Sequence, residues 1–521
     1  MADRASPPAR PHAANRGGHL VERGEFFIVE DLDGEFDLLV IGAGIIGSRV
    51  ALEAAQAGLK VALVDRSDFG SGTSQASSKL IHGGLRYLPM GDVGLVRENH
   101  LERRALLDTV ARNLIWPLDF LVPVYGGYAA AAQLWAGLLL YSALSGFHHS
   151  RNSLVGARRA AQLVPDIRQD GLRSCGVYED AQTNDSRLVL ATITGAARLG
   201  VRVSNYTRVV GIGRGEAHVE GPDGARTVRC RQIVNAAGPW VDEVRRLEDP
   251  TCRPRSRLSK GVHVTLPLPP GWHAALARQV GGSRVAFALP WEDVLLIGTT
   301  DNAYDGDPGA AAVDEGDVDQ VLDEAALSLP REVLDRNRIL YSFAGLRVLE
   351  LGGKSTAETP REHVITKGPK DMVSVAGGKL TTHRQIAMDV LRLLSDERAR
   401  SHRLVNVPLP GAGPMPDRSD GVDPQVWDHL TRHYGSETSR LLAYRETHED
   451  ALERIDPSAP VVWAQVYHGV NAEWARTTED IVRRRTSLAV RGLATDSVRD
   501  RIGGVLSALR PPPRAPSGTG R

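Results

Sequence analysis

The chain has few cysteines and no excess of charge of either sign. Three cysteines stand among 521 residues, and no two of them form a C-x-x-C pair. They are too few for a disulfide framework, so a reducing cytoplasm is the expected compartment and no metal site is expected. The 63 Lys and Arg residues balance 63 Asp and Glu residues. No global field therefore draws the protein to nucleic acid or to an anionic membrane.

Long apolar runs are equally scarce. The first residues lack the apolar core of a signal peptide, so we expect residues 1–34 to form a disordered extension and residues 511–521 a disordered tail. One stretch, Tyr128–Phe147, is about as long as the hydrocarbon core of a membrane is thick. It contains Gln133, two serines and two glycines. This composition favours a buried or interfacial helix over a membrane span.

The length of the chain requires more than one domain. Residues 35–404 begin with a βαβ pattern, and three apolar segments between Gly261 and Thr300 then predict an antiparallel sheet. After a proline-rich connection the pattern becomes helical. We therefore predict a C-terminal helical domain over residues 405–510. No internal repeat is evident.

The strongest local motif lies near the N-terminus. Residues 36–65 read as strand, glycine turn, helix and strand, with Gly42, Gly44 and Gly47 in the pattern G-x-G-x-x-G. The first glycine allows a tight turn, the second lets a pyrophosphate approach the backbone, and the third lets helix and strand pack closely. Asp65 ends the second strand, where a carboxylate can bind a ribose hydroxyl. The motif predicts a dinucleotide site but does not distinguish FAD from NAD.

The residues that follow the motif distinguish between the two cofactors. Asp68–Leu88, DFGSGTSQASSKLIHGGLRYL, resembles the signature of the FAD-dependent glycerol-3-phosphate dehydrogenases. IVNAAGPWVD, FAGLRVLE, VAGGKLTTHRQIA and EWARTTEDIVRRRTSLAV resemble later blocks of that family in the same order. The resemblance implies an α/β fold with a Rossmann-like FAD-binding domain of the glycine-oxidase type. An antiparallel-sheet substrate domain and a C-terminal α-helical domain would complete it.

The same resemblance implies roles for individual residues. The residues expected to contact the flavin are Ser78, His82, Gly238, Gly378 and Thr381. The residues expected to line the substrate pocket are Arg86, Tyr87, His263, Arg347, Arg361 and Lys379. A phosphate dianion needs several charge-assisted donors. The four basic residues of this set lie in Gly-rich or apolar segments, where a charge is costly without a partner.

Two residues depart from the family pattern, and one run of charges is typical of an exposed surface. Val348 stands where the family usually has proline, and His383 replaces an aromatic residue. Neither change removes a phosphate donor, but His383 could alter the flavin potential or the packing of the helical domain. Arg483–Arg485 predicts a solvated helix face rather than a membrane or nucleic-acid contact.

The activity implied by the resemblance is oxidation of sn-glycerol 3-phosphate to dihydroxyacetone phosphate, with hydride moving from C2 to the flavin N5. A quinone or another carrier would take the electrons. His82 and His263 are the candidates for accepting the hydroxyl proton, and a purely orienting role is the alternative for each. Peripheral contact with the inner face of the cytoplasmic membrane and a homodimer are further expectations. The alternatives are an oxidase that uses O₂, an FAD amine or amino-acid oxidase, and a structural nucleotide-binding module.

Overall fold

The computed structural model describes residues 32–149, 151–281, 284–351 and 363–509. Within these ranges the chain forms 18 strands and 13 α-helices. The strands are β1 Glu35–Ile41, β2 Val61–Val64, β3 Leu80–Ile81, β4 Ile115–Val124, β5 Asn152–Gly156, β6 Ser174–Thr183, β7 Arg202–Ser204, β8 Arg208–Ile212, β9 Glu216–Gly221, β10 Gly224–Asn235, β11 Ser256–Pro267, β12 Ala275–Gly281, β13 Arg284–Trp291, β14 Val294–Gly298, β15 Asn302–Tyr304, β16 Tyr341–Glu350, β17 His363–Lys367 and β18 Val373–Gly377.

The helices are α1 Ile45–Gln56, α2 Val93–Ala105, α3 Tyr128–Leu144, α4 Ala157–Leu163, α5 Asp185–Arg198, α6 Val241–Glu248, α7 Glu315–Ala325, α8 His383–Arg392, α9 Glu397–Ser401, α10 Pro424–Tyr434, α11 Thr438–Leu442, α12 Trp463–Ala472 and α13 Asp496–Leu509. The predicted N-terminal extension lies almost wholly outside the described residues, and the predicted C-terminal tail lies outside them, as does Arg361.

The first sheet has the strand order β17-β18-β10-β1-β2-β7, with β9 on β10 and β8 on β9. Strand β1 pairs in parallel with both β2 and β10. All four residues of β2 are buried, as expected for a parallel strand covered on both faces. Helices α5 and α8 pack against α1 on one face of this sheet. The predicted βαβ unit is therefore correct.

The second sheet is mostly antiparallel and has the order β15-β11-β14-β13-β12-β4-β6-β3, with β16 on β11 and β5 on β6. The segments predicted as an antiparallel sheet are β11, β13 and β14, and their pairing confirms that prediction. Strand β16 runs beside β11 over ten residue pairs and places Arg347 opposite Ser259. The Leu346 carbonyl of β16 accepts a hydrogen bond from the Thr73 hydroxyl at 2.6 Å, so this strand lies against the loop that follows β2 of the first sheet.

The helices from α10 onward share a core of their own. Its largest buried members are Trp427, Tyr434, Trp463 and Tyr467. Over the described residues, the segment 402–423 that leads into α10 has no helix or strand. A domain boundary near residue 405 remains our prediction.

Helix α3 covers most of the apolar stretch that could have been read as a membrane span. Within the described residues no helix has the length and apolarity needed to cross a membrane. The helix is not buried: Tyr128 is 93% exposed, and Trp135, Leu139 and Leu140 are also exposed. Its inner side, with Leu138 and Tyr141, packs against the second sheet. The interfacial alternative of the prediction fits this placement, and the buried alternative is wrong.

Candidate active site

The three glycines of the G-x-G-x-x-G motif form the turn between β1 and α1. Gly42 has φ +98°, and a Cβ there would lie 2.6 Å from the Ala236 carbonyl oxygen. A Cβ at Gly47 would collide with the Gly42 carbonyl oxygen. Gly44 is the N-cap of α1, and its side-chain position faces the Ser74 hydroxyl at 3.1 Å. The turn therefore leaves backbone, and not side chain, facing the space in front of α1.

Asp65 braces this turn from the end of β2. One carboxylate oxygen accepts a hydrogen bond from the Ala43 amide at 2.7 Å, and the other accepts from the Ser67 amide at 2.9 Å. Burial raises the pKa of Asp65 to about 6, although both amide bonds act to lower it. Each carboxylate oxygen keeps a second lone pair that can accept a hydroxyl. The side chain can thus hold the turn and a ribose together.

A single cavity of about 1470 Å³ begins at this turn and extends to the antiparallel sheet. Small-molecule pockets usually measure about 300–1,000 Å³, so this one has room for a dinucleotide and a substrate together. The predicted site residues that line it are Gly42, Gly44, Asp65, Ser78, His82, Arg86, Tyr87, Gly238, His263, Arg347, Gly378, Lys379 and Thr381. Gly47 lies behind the turn.

Two cations of the cavity lie against one aromatic ring. The Lys379 ammonium is 4.1 Å from the centre of the Tyr87 ring, and the Arg86 guanidinium is 4.7 Å from it. Arg86 also donates a hydrogen bond to the Tyr87 hydroxyl at 2.7 Å. The ring, which is 5% exposed, holds both positive groups at the wall of the cavity through cation–π attraction.

Arg347 approaches the cavity from the second sheet. It donates to the Thr300 carbonyl at 3.0 Å and to the Thr299 hydroxyl at 2.8 Å, and Asp301 lies 3.7 Å away. A Cβ at Gly261 would lie 2.5 Å from the guanidinium. Glycine at that position therefore makes room for the arginine, and the three partners fix its orientation.

The two candidate histidines occupy different environments. His263 is 2% exposed and stacks on Phe343 with ring centres 5.1 Å apart, while its Nε2 lies 2.9 Å from the Ser78 hydroxyl. Burial, assisted by nearby Arg347, lowers its pKa to about 3. With its pKa lowered this far, the ring of His263 is neutral throughout the physiological pH range. His82, by contrast, lies in the loop after β3, where its amide donates to the Thr381 hydroxyl at 3.2 Å.

A buried ion pair beneath the loop between α1 and α2 did not figure in the sequence prediction. The Lys79 ammonium lies 2.6 Å from Asp185, which is fully buried at the start of α5. Asp185 also accepts from the Ser77 hydroxyl at 2.7 Å. A lysine between Ser78 and the apolar pair Leu80–Ile81 was the available sequence signal, since a charge among buried residues needs a partner.

A second buried network positions the His82–Arg86 segment from below. Asp180 in β6 accepts from the Gly83 amide at 3.0 Å and from the Tyr141 hydroxyl at 2.8 Å. Arg103 of α2 forms an ion pair with the same carboxylate. No sequence pattern linked these residues, because they lie on three separate elements.

The prediction that Arg483–Arg485 forms a solvated helix face is wrong. All three side chains are buried, at 5%, 5% and 1% exposure. Arg484 and Arg485 both pair with Asp68 in the loop beside the glycine turn, Arg485 with contacts of 2.5 and 2.9 Å. Arg483 lies over the rings of Tyr341 and Phe343 at 4.8 and 4.6 Å. A run of like charges is normally solvated, but here the acidic partner lies more than 400 residues away.

The two departures from the family pattern occupy different places. Val348 lines the cavity beside Arg347. His383 is completely buried at the start of α8, and its Nδ1 lies 2.7 Å from the Leu380 carbonyl oxygen. Burial lowers the pKa of His383 to about 3. A neutral ring that lies outside the cavity lining affects the packing of α8 and does not enter the substrate pocket.

A parallel sheet with a glycine turn, joined to an antiparallel sheet across a cationic cavity, defines a dinucleotide-dependent oxidoreductase. The chain belongs to the family of FAD-dependent oxidoreductases: residues 37–383 match the family described as FAD dependent oxidoreductase. Residues 374–509 match the C-terminal domain of alpha-glycerophosphate oxidase. The predicted family and cofactor are confirmed.

Several known proteins resemble most of the chain. A glycerol-3-phosphate dehydrogenase of Synechocystis sp. is 34% identical over 494 residues, which cover 87% of this chain and 89% of that protein. The mitochondrial enzyme of Rattus norvegicus is 33% identical, over 87% of this chain and 68% of its own length.

Solved structures agree with the predicted fold. The glycerol-3-phosphate dehydrogenase from Bacillus halodurans complexed with FAD has a TM-score of 0.69 and 25% identity, and the match covers 91% of this chain and 94% of that one. L-alpha-glycerophosphate oxidase from Mycoplasma pneumoniae has a TM-score of 0.57 and 19% identity, and the match covers 70% of this chain and 96% of that one. At this identity the likeness shows the fold alone. The predicted fold class is confirmed.

Proposed function

We propose that this protein oxidises sn-glycerol 3-phosphate to dihydroxyacetone phosphate with FAD as the cofactor. The observation that carries the proposal is one cavity that is lined by three cations, Arg86, Arg347 and Lys379, by a neutral histidine, His263, and by the glycine turn. Three cations suit a phosphate dianion better than a single carboxylate. Relatives that match 87% of the chain are glycerol-3-phosphate dehydrogenases.

The residues at the turn fit a dinucleotide. Side chains at Gly42 or Gly47 would collide with backbone, so the turn keeps the close approach that a pyrophosphate needs. Gly44 and the start of α1 would receive the phosphates, Asp65 the ribose, and Ser78, His82, Gly238, Gly378 and Thr381 the ring system. FAD, when bound, supplies a two-electron hydride acceptor.

The substrate phosphate would lie between the two sides of the cavity. Arg347 comes from β16 of the second sheet, and Lys379 follows β18 of the first sheet. Arg86 lies in the short helix after β3 and shares the Tyr87 ring with Lys379. Contacts from both sides fix the orientation of a small, flexible substrate. Arg361, the fourth predicted donor, stays a prediction.

His263 is our proposed base. Oxidation of a secondary alcohol requires loss of the hydroxyl proton, which an unprotonated imidazole can accept. His263 accepts it at Nε2, the atom that lies 2.9 Å from the Ser78 hydroxyl. Burial and three neighbouring cations, Arg347, Lys79 and Arg483, keep the ring unprotonated beforehand. His82 is the alternative base.

A lipid-soluble quinone is the proposed electron acceptor. The cavity wall includes Ala130, Gln133, Leu134 and Gly137 of helix α3, and the outer side of the same helix exposes Trp135, Leu139 and Leu140. An exposed apolar surface of this kind favours contact with a bilayer. We propose peripheral contact with the inner face of the cytoplasmic membrane, and a homodimer as the assembly.

The test is an anaerobic mixture of the purified protein with glycerol 3-phosphate. We expect the flavin absorbance to bleach with glycerol 3-phosphate and to stay unchanged with glycerol or with amino acids. Bleaching by an amino acid alone would favour an amine oxidase, and no bleaching by any substrate would favour a structural module. Stoichiometric peroxide in air would identify an oxidase, an alternative favoured by the match to the glycerophosphate oxidase C-terminal domain.

A further inference from the structure

A second chemical cluster lies apart from the active-site cavity. Glu292, His429 and His433 bring a carboxylate oxygen and two imidazole nitrogens within 4.8 Å of one another. None of the three residues lines the cavity described above. Two of them come from the C-terminal helices and one from the antiparallel sheet, so the cluster lies where these two parts of the chain meet.

The two histidines lie on the same face of helix α10. They are four residues apart, which stacks their side chains one turn above the other, with ring centres 4.4 Å apart. His429 is 7% exposed and His433 is 5% exposed. Such i, i+4 histidine pairs supply two zinc ligands in metalloproteins.

The carboxylate comes from the tight turn between β13 and β14. Glu292 has φ +53°, a conformation that is uncommon for a non-glycine residue. Its neighbour in the turn, Asp293, forms a two-contact ion pair with Arg491 at 2.6 and 2.7 Å. Asp293 therefore fixes the turn against the C-terminal part of the chain, and Glu292 is left facing α10.

Among the described residues His429 Nε2 is buried and has no hydrogen-bond partner, although it converges on the other two ligand atoms. His433 Nε2 and Glu292 Oε1 contact each other at 3.2 Å as an ion pair. Buried polar atoms normally find a partner, and each one that does not requires an explanation. In a tetrahedral zinc site two ligand atoms lie about 3.3 Å apart, since zinc–nitrogen and zinc–oxygen bonds are about 2.0–2.1 Å.

The charge around the cluster is compatible with a cation. The Glu292 carboxylate oxygen and the two imidazole nitrogens lie within 4.8 Å of one another, and one carboxylate with two imidazoles is a donor set that suits a divalent cation. Two of the three arginines that face the group have carboxylate partners: Arg491 pairs with Asp293, and Arg187 pairs with Glu473 at 2.6 Å. The third, Arg432, stacks on Trp116 at 3.9 Å. The Gln465 side chain also contacts His429, as an outer-shell partner of a metal ligand would.

We propose that Glu292, His429 and His433 bind one divalent transition-metal ion, with Zn²⁺ as the preferred ion, and that this ion joins the β13–β14 turn to helix α10. Two imidazoles and one carboxylate form a known zinc ligand set, with water in the fourth position. The sequence analysis expected no metal site because it considered only C-x-x-C spacing. The ligands proposed here are two histidines four residues apart and a glutamate more than 130 residues before them.

The experiment measures zinc binding by the FAD-loaded protein after dialysis against a chelator. We expect one tightly bound Zn²⁺ per chain by mass spectrometry of the metal, and a rise in the unfolding temperature when Zn²⁺ is restored. Glu292→Gln, His429→Asn and His433→Asn should each weaken the zinc affinity about 100-fold or more. The matched control is His218→Asn, a half-exposed histidine beside Glu216, which should leave the affinity unchanged.

Equal zinc affinity in the wild type and in Glu292→Gln, which keeps the side-chain shape, would overturn the proposal. So would a wild type that binds no more zinc than the triple variant, because a direct His433–Glu292 ion pair would then explain the cluster. If a histidine variant does not fold, Co²⁺ substitution in the wild type and in Glu292→Gln decides, since tetrahedral Co²⁺ absorbs visibly. Oxidation of glycerol 3-phosphate should remain within a few-fold in Glu292→Gln, so this test is independent of the proposed function.

Discussion

At the scale of single residues, Arg347 is the most direct test of phosphate recognition. Arg347→Ala should lower kcat/KM about 30- to 1000-fold, because truncating a charge-assisted pair costs about 2–4 kcal/mol of transition-state binding. The FAD content should stay normal, since the arginine is anchored on Thr299 and Thr300 of the second sheet. Steady-state kinetics and flavin absorbance measure both quantities.

Arg347→Lys is the matched variant, because it keeps the charge and loses the planar donor pair. The kcat/KM of Arg347→Lys should lie between that of the wild type and that of Arg347→Ala. Turnover of glycerol by the wild type as fast as that of glycerol 3-phosphate would contradict the assignment of this arginine to a phosphate.

His263 provides a pH test as well as a mutational one. Its pKa is lowered to about 3, so the base form is present at every pH above that value and is lost only below it. At saturating substrate, single-turnover flavin reduction should therefore show no inflection from this residue between about pH 5 and 8. His263→Asn should slow that step about 10²–10⁴-fold.

His82→Asn is the comparison. If His82 were the base, the wild type would lose activity as the pH falls through a pKa near neutrality, and His82→Asn would lose both the rate and the inflection. The substrate phosphate ionises near pH 6, so an inflection that persists in His82→Asn belongs to the substrate. Equal tolerance of both substitutions would mean that the proton leaves by another route.

Site residues that belong to a local sequence motif were predicted well. Residues whose environment depends on a partner distant in sequence were predicted poorly. Every predicted cavity residue within the described ranges, apart from Gly47 behind the turn, lines one cavity. Their roles stay predictions. The environment of Arg484 and Arg485 was missed because Asp68 becomes their neighbour through folding alone. Likewise, Glu292 approaches the two histidines of α10 across a domain contact that no spacing encodes.

At the scale of elements, the turn between β1 and α1 makes a specific prediction. Gly44→Val should give a folded protein without flavin, because a branched side chain would occupy the place of the pyrophosphate. Gly94→Ala in α2 is the control, since nothing lies within 4 Å of a Cβ there, and it should retain one FAD per chain. Absorbance after gel filtration and the circular dichroism spectrum measure flavin content and folding.

Retention of a full FAD complement by Gly44→Val would show that the pyrophosphate lies elsewhere. A yellow pellet with a colourless supernatant after acid precipitation of the wild type would show a covalent flavin, contrary to the expected non-covalent one.

Helices and strands were predictable where the hydrophobic pattern of the segment itself determines its secondary structure. Strand β2 is continuously apolar because both of its faces are covered, and that pattern is legible in the sequence. Helix α3 was correctly predicted as a helix, but its composition did not reveal which side would be exposed, because apolar residues surround it almost evenly. The segment Asp480–Arg485 forms a π-helical turn whose last two arginines pair with Asp68, and no sequence pattern indicated that geometry.

At the scale of the whole molecule, the buried Asp68 pairs predict an acid-sensitive contact. Burial alone would raise the pKa of Asp68, but Arg485 and Arg484 outweigh it and the pKa is lowered. Its contribution to stability is therefore fully present above the unfolded pKa of about 3.9 and is lost as the pH falls through the folded pKa. Asp68→Asn should cost about 3–5 kcal/mol at pH 7, because it removes the carboxylate that pairs with both buried arginines and leaves Arg484 with Asp480 alone.

Urea unfolding at pH 7 and at pH 3 measures this contribution, and the difference between wild type and variant should shrink at the lower pH. Asp323→Asn is the control: it removes an exposed pair with Arg331 at 2.7 Å and should cost about 0–1 kcal/mol. Similar costs for the two variants would refute a special role for Asp68.

Helix α3 makes the second prediction at this scale. Glutamate at both Leu139 and Leu140 should reduce cosedimentation with anionic liposomes about tenfold or more, because two exposed apolar side chains would no longer enter the bilayer. Activity with an artificial dye should remain, since neither residue lines the cavity. Leu199→Glu changes an exposed leucine elsewhere and should leave binding unchanged. Failure of the wild type to bind liposomes would rule out this membrane contact.

The pairing of Asp68 with Arg484 and Arg485 also links two equilibria. Asp68 precedes the loop in which the Gly70 amide donates to the Ala43 carbonyl at 3.1 Å and Ser74 accepts from the Ile45 amide at 3.0 Å. The C-terminal arginines thus hold the loop that closes over the start of α1. Because thermodynamic coupling is reciprocal, cofactor binding must tighten the association of the C-terminal helices by the same factor by which those helices tighten the cofactor. Removal of the C-terminal helices should therefore weaken FAD binding, and loss of FAD should weaken the attachment of those helices by the same factor.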